Sequence, residues 1–124
     1  MVTRMDASLQ DVPGGTYRAT RADVGGFRIE ITLTHVGSVP LVDFYQLTTL
    51  DFEPALLHPD DAPEPFRPCP GTGAPGWTSL GEGLPPGESA GPFVAWCAKA
   101  PPRFAMRWCA EDPAVGGTFE IQLA

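Results

Sequence analysis

Phe27-Arg28-Ile29-Glu30-Ile31-Thr32-Leu33-Thr34 is the stretch that decides the fold class. Its apolar side chains at 27, 29, 31 and 33 fall on one side of an extended chain, and its polar ones at 28, 30, 32 and 34 on the other. That period of two is the mark of a strand with one face in a core and one in water. Thr118-Phe119-Glu120-Ile121-Gln122-Leu123 repeats it, with Phe119, Ile121 and Leu123 expected inward. Between them, Thr16–Arg21, Leu41–Thr49, Trp77–Leu80, Gly91–Lys99 and Arg103–Ala110 are weaker strand candidates. Gly25-Gly26, Gly37-Ser38, Pro85-Pro86-Gly87, Pro101-Pro102 and Gly116-Gly117 supply turns between most of them. Prolines interrupt most windows long enough for a helix. The expectation is an all-β sandwich or barrel of about seven short strands, forming a single domain over residues 1–124.

Composition agrees with many short strands. Gly (14) and Pro (15) together make 29 of 124 residues, clustered between the apolar runs. A chain of this length buries one core without metals or disulfides as staples. Residues 51–76 stand apart, with seven prolines (54, 59, 63, 65, 68, 70 and 75) and little periodicity. They are expected to form a long loop or insertion, ordered as a stiff crossover between sheets or serving as a binding surface.

A net charge of −7 sets the chain against phosphate backbones and anionic lipid, so neither nucleic acid nor membrane is expected as a partner. No apolar run of signal-peptide type lies between Met1 and Gly15, and the expected location is cytoplasmic, or secreted if a leader has been removed. Cys69, Cys97 and Cys109 allow at most one disulfide, and reduced thiols are the default expectation.

Ile31-Thr32-Leu33-Thr34-His35-Val36-Gly37-Ser38-Val39-Pro40-Leu41-Val42-Asp43 and Leu84-Pro85-Pro86-Gly87-Glu88-Ser89-Ala90 are the most distinctive turns. They are similar to two turn signatures of a bacterial immunoglobulin-like family, the "conserved repeat" domains of surface proteins. The resemblance covers about twenty residues and implies an immunoglobulin-like β-sandwich of about seven strands; it says little about function, because sandwiches host many functions. It departs at His35, where the family carries Asn, and at residues 51–76, which have no counterpart. The family's disulfide habit does not carry over, because Cys97 lies too far beyond the Gly-Glu-Ser turn.

Several literal motifs fail on physical grounds. Gly87-Glu88-Ser89-Ala90-Gly91 matches the nucleophile elbow of serine hydrolases, but prolines flank it and neither His35 nor His58 follows the serine. Gly71-Thr72-Gly73-Ala74-Pro75-Gly76 matches a dinucleotide fingerprint without the strand before or the helix after. His58-Pro59-Asp60-Asp61 with Glu64 lacks any recognised ligand spacing and reads as a solvated acidic loop. His35 falls in a turn, where water suffices for its side chain. No catalytic residue, cofactor or metal is expected.

Gly91–Lys99 and Arg103–Ala110 can pair as a hairpin around Ala100 to Arg103, whereas a true immunoglobulin topology sends them to different sheets. In the hairpin, Phe93, Ala95, Cys97, Phe104, Met106 and Trp108 face the core. Trp96 would stand outward across from Arg107, close enough for a cation–π contact. Trp96, Arg107, Trp77, Tyr45 and Asp43, with Trp108 beside them, are therefore the candidate binding residues. The leading expectation is a non-catalytic binding module for an unspecified protein partner. The alternative is a small-molecule protein, either a carbohydrate binder or a compact cyclase or isomerase, which needs a closed apolar cavity of a few hundred Å³ as its ligand site.

Overall fold

The computed structural model describes residues 13–23, 25–42, 44–50, 57–69, 76–79, 83–112 and 115–124. They are all-β, with no helix among them. The strands are β1 (Gly14–Arg21), β2 (Phe27–Thr34), β3 (Gln46–Thr49), β4 (Leu57–Asp61), β5 (Arg67–Cys69), β6 (Gly76–Thr78), β7 (Ser89–Cys97), β8 (Arg103–Cys109) and β9 (Gly116–Leu123). They hydrogen-bond in the order β4-β7-β2-β1-β9-β8-β3-β6-β5. Every pairing is antiparallel except β1 with β9, where Gly15–Tyr17 run parallel to Ile121–Leu123. The sheet folds over at that short junction into a nearly closed, barrel-like sandwich. The indole of Trp77 on β6 donates to the Asp61 carbonyl on β4 at 3.1 Å, tying the two ends of the sheet together.

Alternation built the core as the sequence reading expected. Ile29, Ile31 and Leu33 are fully buried, as are Phe93, Ala95, Phe104, Met106 and Ile121. Aromatic rings fill the centre: Phe93 meets Phe66 at 5.0 Å and Trp77 at 5.4 Å, and Phe44 meets Trp108 at 5.7 Å. Such tilted and edge-on pairs add about 0.5–1.5 kcal/mol each beyond their buried area. Leu123 departs from the expectation. It lies at the strand end beyond the core and is 49% exposed.

Three expectations are corrected. Among the described residues nine strands replace about seven, because β4 and β5 lie inside the segment expected to be one long loop. His58-Pro59-Asp60-Asp61 accordingly belongs to a strand rather than to a solvated loop. Proline disfavours a central strand by removing a ladder donor, but an edge strand has one side unpaired. Both new strands are edges: β4 carries Pro59 against β7, and β5 carries Pro68 against β6. The third correction concerns the hairpin. β7 lies between β4 and β2, while β8 lies between β9 and β3, so Trp96 and Arg107 sit in different layers.

Two glycines show why residue type matters locally. Gly87 has φ +80° in the turn closed by Glu88 N–H donating to the Pro85 carbonyl at 3.1 Å. A side chain there would be strained. At Gly76, a Cβ would sit 1.8 Å from the Leu47 carbonyl oxygen, so only glycine lets β6 close on β3.

Candidate functional site

The residues singled out from the sequence do not converge. Trp77 is fully buried, with its indole committed to Asp61, and Trp108 is buried beside Phe44. Trp96 is half-buried on the outer side of β7, where its Nε1–H donates to Asp60 Oδ2 at 3.1 Å. Its neighbour across the ladder on β2 is Arg28, whose guanidinium is paired with Glu30. Arg107 is exposed on β8, between Thr48 and Thr118 of the flanking strands. Tyr45 is 44% exposed just before β3. Asp43 lies outside the described residues.

Register generates the outward face of β9-β8-β3-β6-β5, since paired residues point the same way. One row runs Arg67, Thr78, Gln46, Cys109 and Gly116. The next runs Cys69, Gly76, Thr48, Arg107 and Thr118. Further along β8, Arg103 pairs loosely with Glu120 on β9, Nη1 to Oε2 at 3.7 Å, both groups well exposed. Arg107 and Arg67 form no ion pair among the described residues.

The loop from β2 to β3 borders one end of this face, and it is the feature that sequence reasoning missed. Val36, Val39 and Val42 are 71%, 51% and 64% exposed. The loop is held from beneath by His35, which is buried rather than solvated. The Gly37 N–H donates to Nδ1 at 3.0 Å, while Nε2 lies 2.5 Å from the Val39 carbonyl. A carbonyl only accepts, so Nε2 carries the hydrogen and Nδ1 is the acceptor. The backbone of His35 also locks to the next turn: its N–H donates to Glu88 O at 2.9 Å, and Gly87 N–H donates to its carbonyl at 2.8 Å. Leu41 and Leu84 exchange a further pair of backbone bonds. The available sequence signal was three valines in a segment whose turn chemistry calls for polar residues.

The serine and histidine of the sequence motifs, and two of the three cysteines, are held by their surroundings. Ser89 Oγ hydrogen-bonds Thr34 Oγ1 at 2.8 Å, and both ring nitrogens of His35 are engaged elsewhere. All three cysteines are free thiols. Burial pushes the Cys97 thiol up to about 12. Burial also raises Cys109, with Arg107 pulling the other way. Tyr17 is raised by burial and then by Cys97.

Among the described residues, two depressions in the surface are both open to solvent. One of about 710 Å³ lies along the β4–β5 turn, lined by Asp61, Glu64, Phe66 and Arg67 among others. The other, of about 120 Å³, lies between β1 and β2 near Tyr17, Glu30 and Ala124. The aromatic contacts occupy the interior where a ligand chamber would lie. Comparison with family models, with curated proteins and with solved structures returns no match.

Proposed function

We propose that this protein is a non-catalytic protein–protein interaction module with an immunoglobulin-like topology. The observation that carries the reading is the β2–β3 loop, where a buried, doubly hydrogen-bonded histidine holds Val36, Val39 and Val42 out in water. Exposing three apolar side chains on a rigid support costs free energy in the isolated protein, and a partner that covers them recovers it. The ring-filled core favours this reading over a small-molecule chamber.

Two features support the immunoglobulin-like part. The parallel β1–β9 junction joins a β7-β2-β1 layer to a β9-β8-β3 layer. The two turns similar to the bacterial "conserved repeat" signatures lie side by side, bonded through His35, Gly87 and Glu88. Of the residues chosen from sequence, Tyr45 lies at the end of the valine-bearing loop, whereas Trp96 stands on the opposite layer.

The test is affinity capture from a lysate with wild type and with a Val36→Ser/Val39→Ser/Val42→Ser variant. The expected result is a protein captured by wild type and lost by the variant, with both giving the same unfolding midpoint. Identical captured sets would refute the role of the loop.

A further inference from the structure

We infer that the outward face of β9-β8-β3-β6-β5 docks an extended acidic protein segment, with Arg107 as its central contact. The inference rests on the interaction-module reading and names the chemistry of the partner. Its basis is charge segregation. The chain carries −7 overall, yet the described side chains of this face include Arg67, Arg103 and Arg107 against Glu120 alone, a local +2. The opposite layer shows no such excess: on its strands Arg18, Arg21 and Arg28 stand against Glu30, Asp60 and Asp61, and Arg28 is paired with Glu30. Nothing about folding requires unpaired arginines on a sheet face of an acidic protein.

The spacing suits a strand-like ligand. Arg103 and Arg107 lie four residues apart on β8 and share its outward side. That places their Cα atoms about 13 Å apart, the separation of acidic residues at i and i+4 in another extended chain. Arg67 lies three strands across from Cys109, at about 4.8 Å per strand, and can engage a third carboxylate on a bent or second segment. Small and neutral neighbours (Thr48, Thr118, Ala105, Gly76) leave Arg107 open to bidentate carboxylate binding. Its field already reaches Cys109, lowering that thiol against the effect of burial. Nucleic acid fits less well: duplex phosphates are denser than three arginines can match, and the chain as a whole carries −7.

The experiment is fluorescence anisotropy at low and physiological salt with three labelled probes: (Glu-Thr)₄, (Gln-Thr)₄ and a DNA duplex. The expected result is binding of the glutamate peptide alone, weakening with salt. Arg107→Glu should reduce affinity about tenfold and Arg103→Glu by a smaller factor, while Arg18→Glu on the other layer leaves it unchanged. Equal binding by wild type and Arg107→Glu, equal loss in Arg18→Glu, or preference for DNA would each overturn the proposal. Loss of peptide binding with valine-dependent capture intact would remove this inference and leave the module reading standing. Peptide binding without valine-dependent capture would do the reverse. Matching denaturation midpoints among the variants exclude unfolding as the cause.

Discussion

Replacing His35 by alanine is the sharpest probe of how the loop is held. The side chain receives the Gly37 N–H at 3.0 Å and faces the Val39 carbonyl at 2.5 Å, and it is 1% exposed. Each hydrogen bond contributes about 0.5–1.5 kcal/mol net, and vacating the buried ring adds about 1 kcal/mol of lost packing. The expected loss is about 2–4 kcal/mol, a large part of the 5–15 kcal/mol typical of a domain. Asparagine separates the contributions. Its carboxamide oxygen can accept the Gly37 N–H in an Asx turn but cannot reach Val39, so His35→Asn should lose roughly half as much. Urea titration followed by tryptophan fluorescence and by circular dichroism measures all three proteins. The midpoints should fall in the order wild type, His35→Asn, His35→Ala, at a common slope. Equal losses in the two variants, or an alanine variant within about 0.5 kcal/mol of wild type, would refute the reasoning.

Three further outcomes follow from the interior. The Tyr17 hydroxyl is buried with no hydrogen-bond partner among the described residues, so Tyr17→Phe keeps the ring against Phe104 and should be neutral or stabilising by about 1–2 kcal/mol; a clear loss in thermal or urea unfolding would contradict this. Phe93→Ala removes the ring that meets both Phe66 and Trp77 and should cost about 3–5 kcal/mol, read from the same titration. Cys97 titrates near 12 when folded against an ordinary 9.0, so the folded state holds a proton that the unfolded chain releases. Stability from this group is intact below pH 9 and should fall by up to about 1.4 kcal/mol per unit as pH rises towards 12. Tyr17 and Cys109, also raised, slope the same way, so the measurement is the difference between wild type and Cys97→Ala at each pH. A difference that stays constant from pH 8 to 11 would contradict the assignment.

Much of the candidate site was hidden from the sequence for identifiable reasons. Arg107 was legible as outward-facing, because alternation on β8 is a local property. Its neighbour Thr48 was not, since it comes from a strand 107 − 48 = 59 residues earlier in the chain. Trp77 looked like a binding residue only while its surroundings were unknown; a short strand closing the barrel buries it. His35 looked like a solvated turn residue because nothing local announces that Glu88 and Leu84 will pack the turn from the far side.

Determined by the chain's own pattern were the strand class, most inward-facing side chains, and turns such as Pro85-Pro86-Gly87. Each depends on neighbours within a few residues, where backbone geometry dictates which side a residue takes. Pairing was decided only in three dimensions: β7 with β2 and β4, β8 with β3 and β9, and the proline-bearing strands at the edges. A strand edge offers the same donors and acceptors to any partner, so the choice falls to whichever arrangement buries the apolar faces together. That choice put Trp96 and Arg107 on opposite layers and gathered three arginines onto one.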